Sequence, residues 1–440
     1  MVRAAKAMKK PILFALSLGC VYAAACSSTS SNTGAGGTAG TSNGGSSAHA
    51  GAAGKSSAGQ GGASLVEAAG AAGDSSAAGE SGTGGVPSEA GASNAGTAGN
   101  PGAGGTAGTS GNGGTGGISA LPVSALPGYQ VTVWAQGTAA YTGPDSIESD
   151  GTNIWVGYQN KTTKDGSNGG AGFVNYSTIV KYSLDGKNVI ATYSMPGHCD
   201  GLRIDPTTKK VWASSNEDGS PHLVSIDPTV TDRVAAVTEY TLVRAAGTAD
   251  HGGGYDDMAF INGKMFMTAS NPQNAEPVPA LEMVTISGAT ATLTSVLAGD
   301  ATAIDTTTDA GVALNEVDPD SLSIDDKGRL VLVNQGGNEL VFITNPGTNT
   351  QSVKRLPVAT QLDDTVWITK AAGQLLVVDG KANTIYAVRT TFTVGSVYTE
   401  TPDDSSIPGL LATLDLTTGN VAPKIIGFKK PTGLLFVPDL

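Results

Sequence analysis

The sequence predicts an all-β fold: a six-bladed β-propeller, with five or seven blades as alternatives, after a disordered Gly/Ala/Ser-rich tether. Three observations point to it. The composition changes near Gly117, a short aspartate motif recurs beyond that point, and each copy is followed by short apolar runs separated by turn residues. No stretch has the pattern of a long amphipathic helix.

Residues 1–25 read as an export signal. Arg3, Lys6, Lys9 and Lys10 give a positive start, Pro11 to Val21 an apolar stretch too short to span a bilayer, and Ala23-Ala24-Ala25 small residues before Cys26. Ala23 to Ser28 resembles a bacterial lipobox, which implies that Cys26 is lipidated and that the protein is exported and membrane-anchored at the cell envelope, in the outer membrane or periplasm or at the cell surface. Ala23 departs from the aliphatic residue usual three places before the lipobox cysteine, so ordinary cleavage after Ala25 is the alternative. Either cleavage removes Cys20. With Cys26 lipidated, Cys199 has no partner in the chain, and no disulfide holds the fold.

Residues 26–117 run through TGAGGTAGTSNGG and close relatives, with almost no aromatic or β-branched apolar side chains to offset the entropy of ordering. The expectation is a coil whose ends lie about 50 Å apart on average, a spacer between membrane and domain. A wall-binding or glycosylated stalk is the alternative. The signal and tether together carry Arg3, Lys6, Lys9, Lys10 and Lys55 against Glu67, Asp74, Glu80 and Glu89, a balance of +1 against the chain's −13, which leaves −14 for the rest. An acidic domain of this kind disfavours a nucleic-acid partner, which needs clustered Lys and Arg.

Residues 118–440 form the predicted propeller. The repeated motif is Pro144-Asp145-Ser146-Ile147, Cys199-Asp200-Gly201-Leu202, Asp256-Asp257-Met258, Pro319-Asp320-Ser321-Leu322 and Asp363-Asp364-Thr365-Val366, with a weaker copy at Pro431-Thr432-Gly433-Leu434. Spacings of 55, 56, 64, 44 and 68 residues between Asp145, Asp200, Asp256, Asp320, Asp364 and Thr432 suit four strands per repeat. Second runs that end polar follow at IWVGYQN, VWASSN, MFMTASN, LVLVNQ and LLVVDG, and third runs at TIVKYS, HLVSID, LEMVTIS, ELVFIT and TIYAVR. About 24 candidate strands divide into six blades, with YQVTVWA near Tyr129 pairing with the C-terminal strands to close the ring. The last motif copy is anomalous, because only six residues follow Leu434.

The Asp-x-apolar motif, the DDKGRL turn and the polar-ended strands resemble the NHL, YVTN and SMP-30/gluconolactonase-like propellers, most closely at PDSLSIDDKGRLVLVN, Pro319 to Asn334. The resemblance spans most of residues 129–440 in architecture and only short motifs in sequence, so it bears on fold more than on activity. It implies a divalent cation held by Glu, Asn and Asp, although the full ligand set does not map residue by residue.

If each repeat opens with the channel-lining strand, Asp145, Asp200, Asp256, Asp320 and Asp364 converge on one rim. They would repel unless protonated, hydrogen-bonded or neutralised, and Ca²⁺ is the natural cofactor candidate because it accepts many hard oxygen ligands. Asn216, Asn271 and Asn334 at second-strand ends could add carbonyl oxygens. The competing expectation is architectural, with each aspartate accepting backbone N–H bonds to tie one blade to the next. His198 and His251 break the repeat symmetry and are the candidate catalytic bases, or else ordinary loop histidines. Cys199 alternates away from His198 and reads as a buried thiol, and His222 reads as structural.

GxSxG, HExxH and phosphate-loop signatures are absent. Three functions stay open: an envelope module recognising a small-molecule or envelope ligand, a Ca-type hydrolase of lactones or related esters, and a purely structural envelope protein.

Overall fold

The computed structural model describes residues 123–270, 278–402 and 408–439. The export signal, Cys26, the tether and Asn271 lie outside the described residues. Those described contain strands and turns and no helix.

Two short strands come first, β1 (Ser124–Ala125) and β2 (Gln130–Gln136). Then β3 (Pro144–Ser149), β4 (Asn153–Tyr158), β5 (Tyr176–Ser183) and β6 (Val189–Pro196) form an antiparallel sheet in chain order. The pattern repeats in β7 (Cys199–Ile204), β8 (Val211–Ser215), β9 (His222–Ile226) and β10 (Val237–Arg244), and again in β11 (Tyr255–Ile261), β12 (Lys264–Ala269), β13 (Pro279–Ser287) and β14 (Thr290–Ala298). A parallel pairing of β10 with β14 joins these two units. A hairpin of β15 (Thr302–Asp305) and β16 (Gly311–Ala313) docks on the fourth unit, β17 (Pro319–Ile324), β18 (Leu330–Asn334), β19 (Glu339–Thr344) and β20 (Ser352–Pro357).

The last two units are interleaved. β21 (Thr365–Trp367) is followed in sequence by the hairpin β22 (Gly373–Asp379) and β23 (Thr384–Arg389), yet its partner is β24 (Val397–Thr401), continued by β25 (Gly409–Leu414) and β26 (Val421–Phe428). The hairpin belongs to the closing sheet, between β27 (Pro431–Pro438) on the inside and β2 on the outside. This explains the truncated last motif: Pro431–Leu434 opens an innermost strand whose companions come from earlier in the chain. YQVTVWA shares the sheet with β27, as closure requires, but its direct partner is β23. The early strand β2 and the last strand β27 thus share one sheet, while β1 pairs with β26 in the neighbouring one.

The inner strands touch in the cyclic order β3, β7, β11, β17, β21, β27 and back to β3. The architecture is therefore an all-β propeller. Each sheet is covered on both faces, so β8 and β18 are buried at every residue instead of alternating, while outer strands such as β6 do alternate. The core lies between units: Ile147, Val156 and Tyr158 pack on Leu376, Val378 and Ile385, and Trp155 and Ile179 pack on Leu202 and Val224. At about 1.5–3 kcal/mol for each fully buried large aliphatic side chain, these seams hold the ring without disulfides. Cys199 is free and buried in one of them, in line with its reading as a core thiol.

Candidate functional site

The aspartate motif occupies a β-bulge. Pairing between β3 and β4 slips between Pro144 and Ile147, and the same slip occurs at Cys199/Leu202, Tyr255/Met258 and Pro319/Leu322. A bulge re-aims one side chain out of the ladder, here toward the axis. The residue after the motif's second position meets the next inner strand closely in two copies: a Cβ on Gly433, which follows Thr432, would collide with the Asp145 carbonyl, and one on Gly201, which follows Asp200, with the Asp256 carbonyl.

Asp145, Asp200, Asp256 and Asp320 consequently line one central cavity of about 110 Å³. The fifth position belongs to Asp363 and not to Asp364. The Asp363 carbonyl accepts from Ser321 Oγ at 2.9 Å, as the Asp320 carbonyl accepts from Thr268 Oγ1 at 3.1 Å and the Asp256 carbonyl from Ser214 Oγ at 3.2 Å. Asp364 matches Asp257, one place further on. Each sends a carboxylate to the next unit, Asp257 Oδ2 accepting from Leu322 N and Asp364 Oδ2 from Leu434 N, both at 2.9 Å. Asp364 still lines the cavity, but its charge is spent on architecture.

Two cavity carboxyls have incomplete bonding. Asp200 Oδ2 and Asp256 Oδ2 are buried with no hydrogen-bond partner, and the opposite oxygen of Asp200 lies 3.4 Å from Gln159 Nε2 and 3.5 Å from His198 Nε2. Asp320 receives Gln335 Nε2 at 3.3 Å. Burial pushes the Asp145 carboxyl up to about 7, with Lys430 pulling it back. Asp200, Asp256, Asp320 and Asp363 are held well above the usual carboxylate range by burial and then by neighbouring acids.

Glu217, from the loop after β8, departs from this pattern. Burial pushes it up, but a hydrogen bond from Asp256 and the ion pair with Lys164 outweigh that and hold it below its ordinary value. Asp256, by contrast, is pushed up by burial and by Glu217, so the two neighbours are shifted in opposite directions. His198 also faces the cavity, with Nδ1 2.7 Å from Thr162 Oγ1 and 3.1 Å from the Thr162 carbonyl. Burial lowers it to about 4, so the imidazole is neutral at pH 7. Arg203 lies in the same cavity, paired with Asp257 and donating to the Leu322 carbonyl at 3.0 Å.

The proposed metal ligands separate into groups. Asn216, at a φ of 65°, accepts the His198 N–H at 2.8 Å and donates to the Ser220 carbonyl at 2.9 Å, so its amide is committed to the loop. Asn334 braces Asn315 and Gly337 in the same way. Among the described residues no three His, Cys, Asp or Glu side chains are placed to hold a metal ion. The described donors therefore fit neither the divalent cation that the resemblance implied nor the Ca²⁺ that the row of aspartates suggested.

The two histidines part company. His251 lies away from the cavity, its ring edge against Tyr255 and its Nε2 3.8 Å from Glu282 Oε2. His222 pairs with Glu239 at 2.6 Å, outside the channel. Glu217, Lys164, Lys430, Arg203 and Asp363 are cavity residues that the motif reading overlooks. The signal for Glu217 was present in the acidic residue that follows the polar end of a second run, VWASSNED.

No family model and no curated protein matches the chain. Among solved structures it is similar to a protein of unknown function from Bacteroides caccae, at 10% identity and a TM-score of 0.40 over 67% of this chain and 87% of that one. A putative gluconolactonase matches at 10% identity and a TM-score of 0.40, over 71% and 87%. Selenomethionine-substituted virginiamycin B lyase from Staphylococcus aureus matches at 14% identity and a TM-score of 0.35, over 60% and 100%.

Proposed function

We propose that the chain is an envelope-anchored lipoprotein whose propeller binds a small organic cation in its acid-lined central cavity. The Cys26 motif supports the anchor. One observation carries the binding role: the cavity gathers Asp145, Asp200, Asp256, Asp320, Asp363 and Glu217, while two of its cations, Arg203 and Lys164, are already paired with Asp257 and Glu217. Carboxyls so arranged must hold protons or meet an incoming positive charge. Their spread around the axis suits a ligand with several N–H donors better than a point ion. A cation that enters displaces protons, so binding strengthens as pH rises through about 7, where Asp145 ionises.

Calorimetric titration of the full chain with putrescine, spermidine and glucosamine tests this. The expected result is binding by at least one amine, with proton release seen as a buffer-dependent enthalpy, and a loss of about tenfold or more in Asp200→Asn and Asp256→Asn. Absence of binding by all three, or unchanged affinity in both variants, would sink the reading.

A second reading, hydrolysis of a lactone or related ester in the same cavity, is favoured by Glu217, shifted below its ordinary value, beside Asp256, shifted above it, an arrangement that suits a base and an acid, with neutral His198 nearby. Turnover of a lactone panel, with and without Ca²⁺, that vanishes in Glu217→Gln would establish it in place of simple binding.

A further inference from the structure

A second cleft lies where β10 changes partners. Its first half, Val237–Tyr240, pairs antiparallel with β9, whereas Thr241–Arg244 pairs in parallel with β14 of the neighbouring unit. The crossing opens a space of about 580 Å³ between the two units, within the size range of small-molecule sites. Strand alternation turns Tyr240, Leu242 and Arg244 to one face, opposite Tyr255 and Leu293. The walls are braced: Tyr240 stacks on Trp212 at 5.0 Å, and the Tyr255 hydroxyl donates to the buried Glu282 carboxyl.

The slot ends at a half-used guanidinium. Arg244 Nη2 lies 3.0 Å from Asp250 Oδ1, but Asp250 is 69% exposed, so that pair contributes little. Arg244 Nε is buried and has no hydrogen-bond partner. A buried N–H left free calls for an acceptor, and Nε with Nη2 forms the edge that grips a carboxylate through two parallel bonds. Of the other acids near this guanidinium, Glu239 is engaged by His222, and Glu282 holds the Tyr255 hydroxyl through one oxygen while its Oε1 is buried without a partner.

We propose that this cleft binds a small carboxylate with an apolar body, its carboxylate on Arg244 in place of Asp250 and its body against Tyr240 and Leu242. Titration of the full chain with phenylacetate, and with 2-phenylethanol as its uncharged counterpart, tests this. Phenylacetate is expected to bind at least about tenfold more tightly than the alcohol, and Arg244→Gln to remove that advantage. Arg244→Lys keeps the charge but not the fork and is expected to restore only part of it. Asp250→Asn removes the competing carboxylate and is expected to tighten binding several-fold. Asp200→Asn, in the central cavity, leaves phenylacetate binding unchanged. Absence of phenylacetate binding, equal affinity in Arg244→Gln, or weaker binding in Asp250→Asn would overturn the proposal.

Discussion

Asp256 and Asp257 are adjacent in one inner strand, and Asp363 and Asp364 directly precede another, yet the members of each pair do opposite work. Asp256 and Asp363 face the cavity among other acids. Asp257 and Asp364 reach across a seam and accept a backbone N–H of the next inner strand. The two competing expectations for the motif, a charged rim and an architectural tie, are both realised, one residue apart. A one-residue step in a strand turns a side chain to the other face, and the bulge in β11 fixes which of Asp256 and Asp257 faces the axis. Residue type is the same in both rows. Position relative to the bulge decides whether the carboxylate is satisfied by the fold or left for a ligand.

The largest effect that sharpens this contrast belongs to the architectural row. Asp257 accepts from Leu322 N, from Met258 N at 2.7 Å and from Arg203, all in a buried seam. Asp257→Ala strips three donors of their acceptor and leaves a guanidinium without its closest partner. The expected loss is about 3–5 kcal/mol, read from the urea midpoint of the full chain. A loss below about 1 kcal/mol would erase the distinction between the rows.

Much of the fold was legible because propeller repeats announce themselves locally. The motif spacing, the polar-ended second runs and the closing role of YQVTVWA need only short stretches of sequence. The exchange of the β22–β23 hairpin was not legible, since assigning LLVVDG to β27 and not to β21 depends on pairing across more than 50 residues. In the site, a run of two aspartates in Leu362-Asp363-Asp364-Thr365 offers two alignments, and only the hydrogen bonds to Ser321 and Leu434 choose between them. Asn216 looked available because its side chain is polar at a strand end. Its left-handed backbone instead ties it to His198, and the next residue, Glu217, enters the cavity.

The cavity row should respond with the opposite sign. A carboxyl whose pKa is raised by folding adds stability fully below its unfolded value near 4, and that stability is lost as pH rises through the folded value. For Asp145 the window runs from about 4 to about 7, and Asp200 and Asp256 are shifted in the same direction by burial and neighbouring acids. The ligand-free protein should therefore weaken from pH 5 to pH 8. Asp200→Asn and Asp256→Asn mimic the protonated form and should each gain about 1 kcal/mol at pH 8 and nothing near pH 4. Thermal unfolding across that range measures it. Asp257 is also pushed up to about 7 by burial, so the variants and not the wild-type slope separate the rows: Asp200→Asn or Asp256→Asn less stable at pH 8 would place these carboxyls in the architectural row.

The smallest effect tests the one ring position that lacks an acid. Thr432 stands in the closing unit where the other inner strands carry aspartate, lines the cavity, and has a buried Oγ1 with no hydrogen-bond partner. Thr432→Asp would complete the ring. If the row is a charge reservoir for a cation, the new carboxylate raises amine affinity several-fold while costing stability at pH 8 through repulsion from Asp145, its neighbour across the β27–β3 seam. Lys430, two residues before it and already pulling on Asp145, offsets part of that repulsion, so the cost should be held to about 0.5 kcal/mol. Near pH 4 the added group is protonated and both effects should disappear. A stability cost that persists at pH 4 would mean the position rejects aspartate on shape alone. Unchanged amine affinity at pH 8 would mean that the charge of the row is not what the cavity uses.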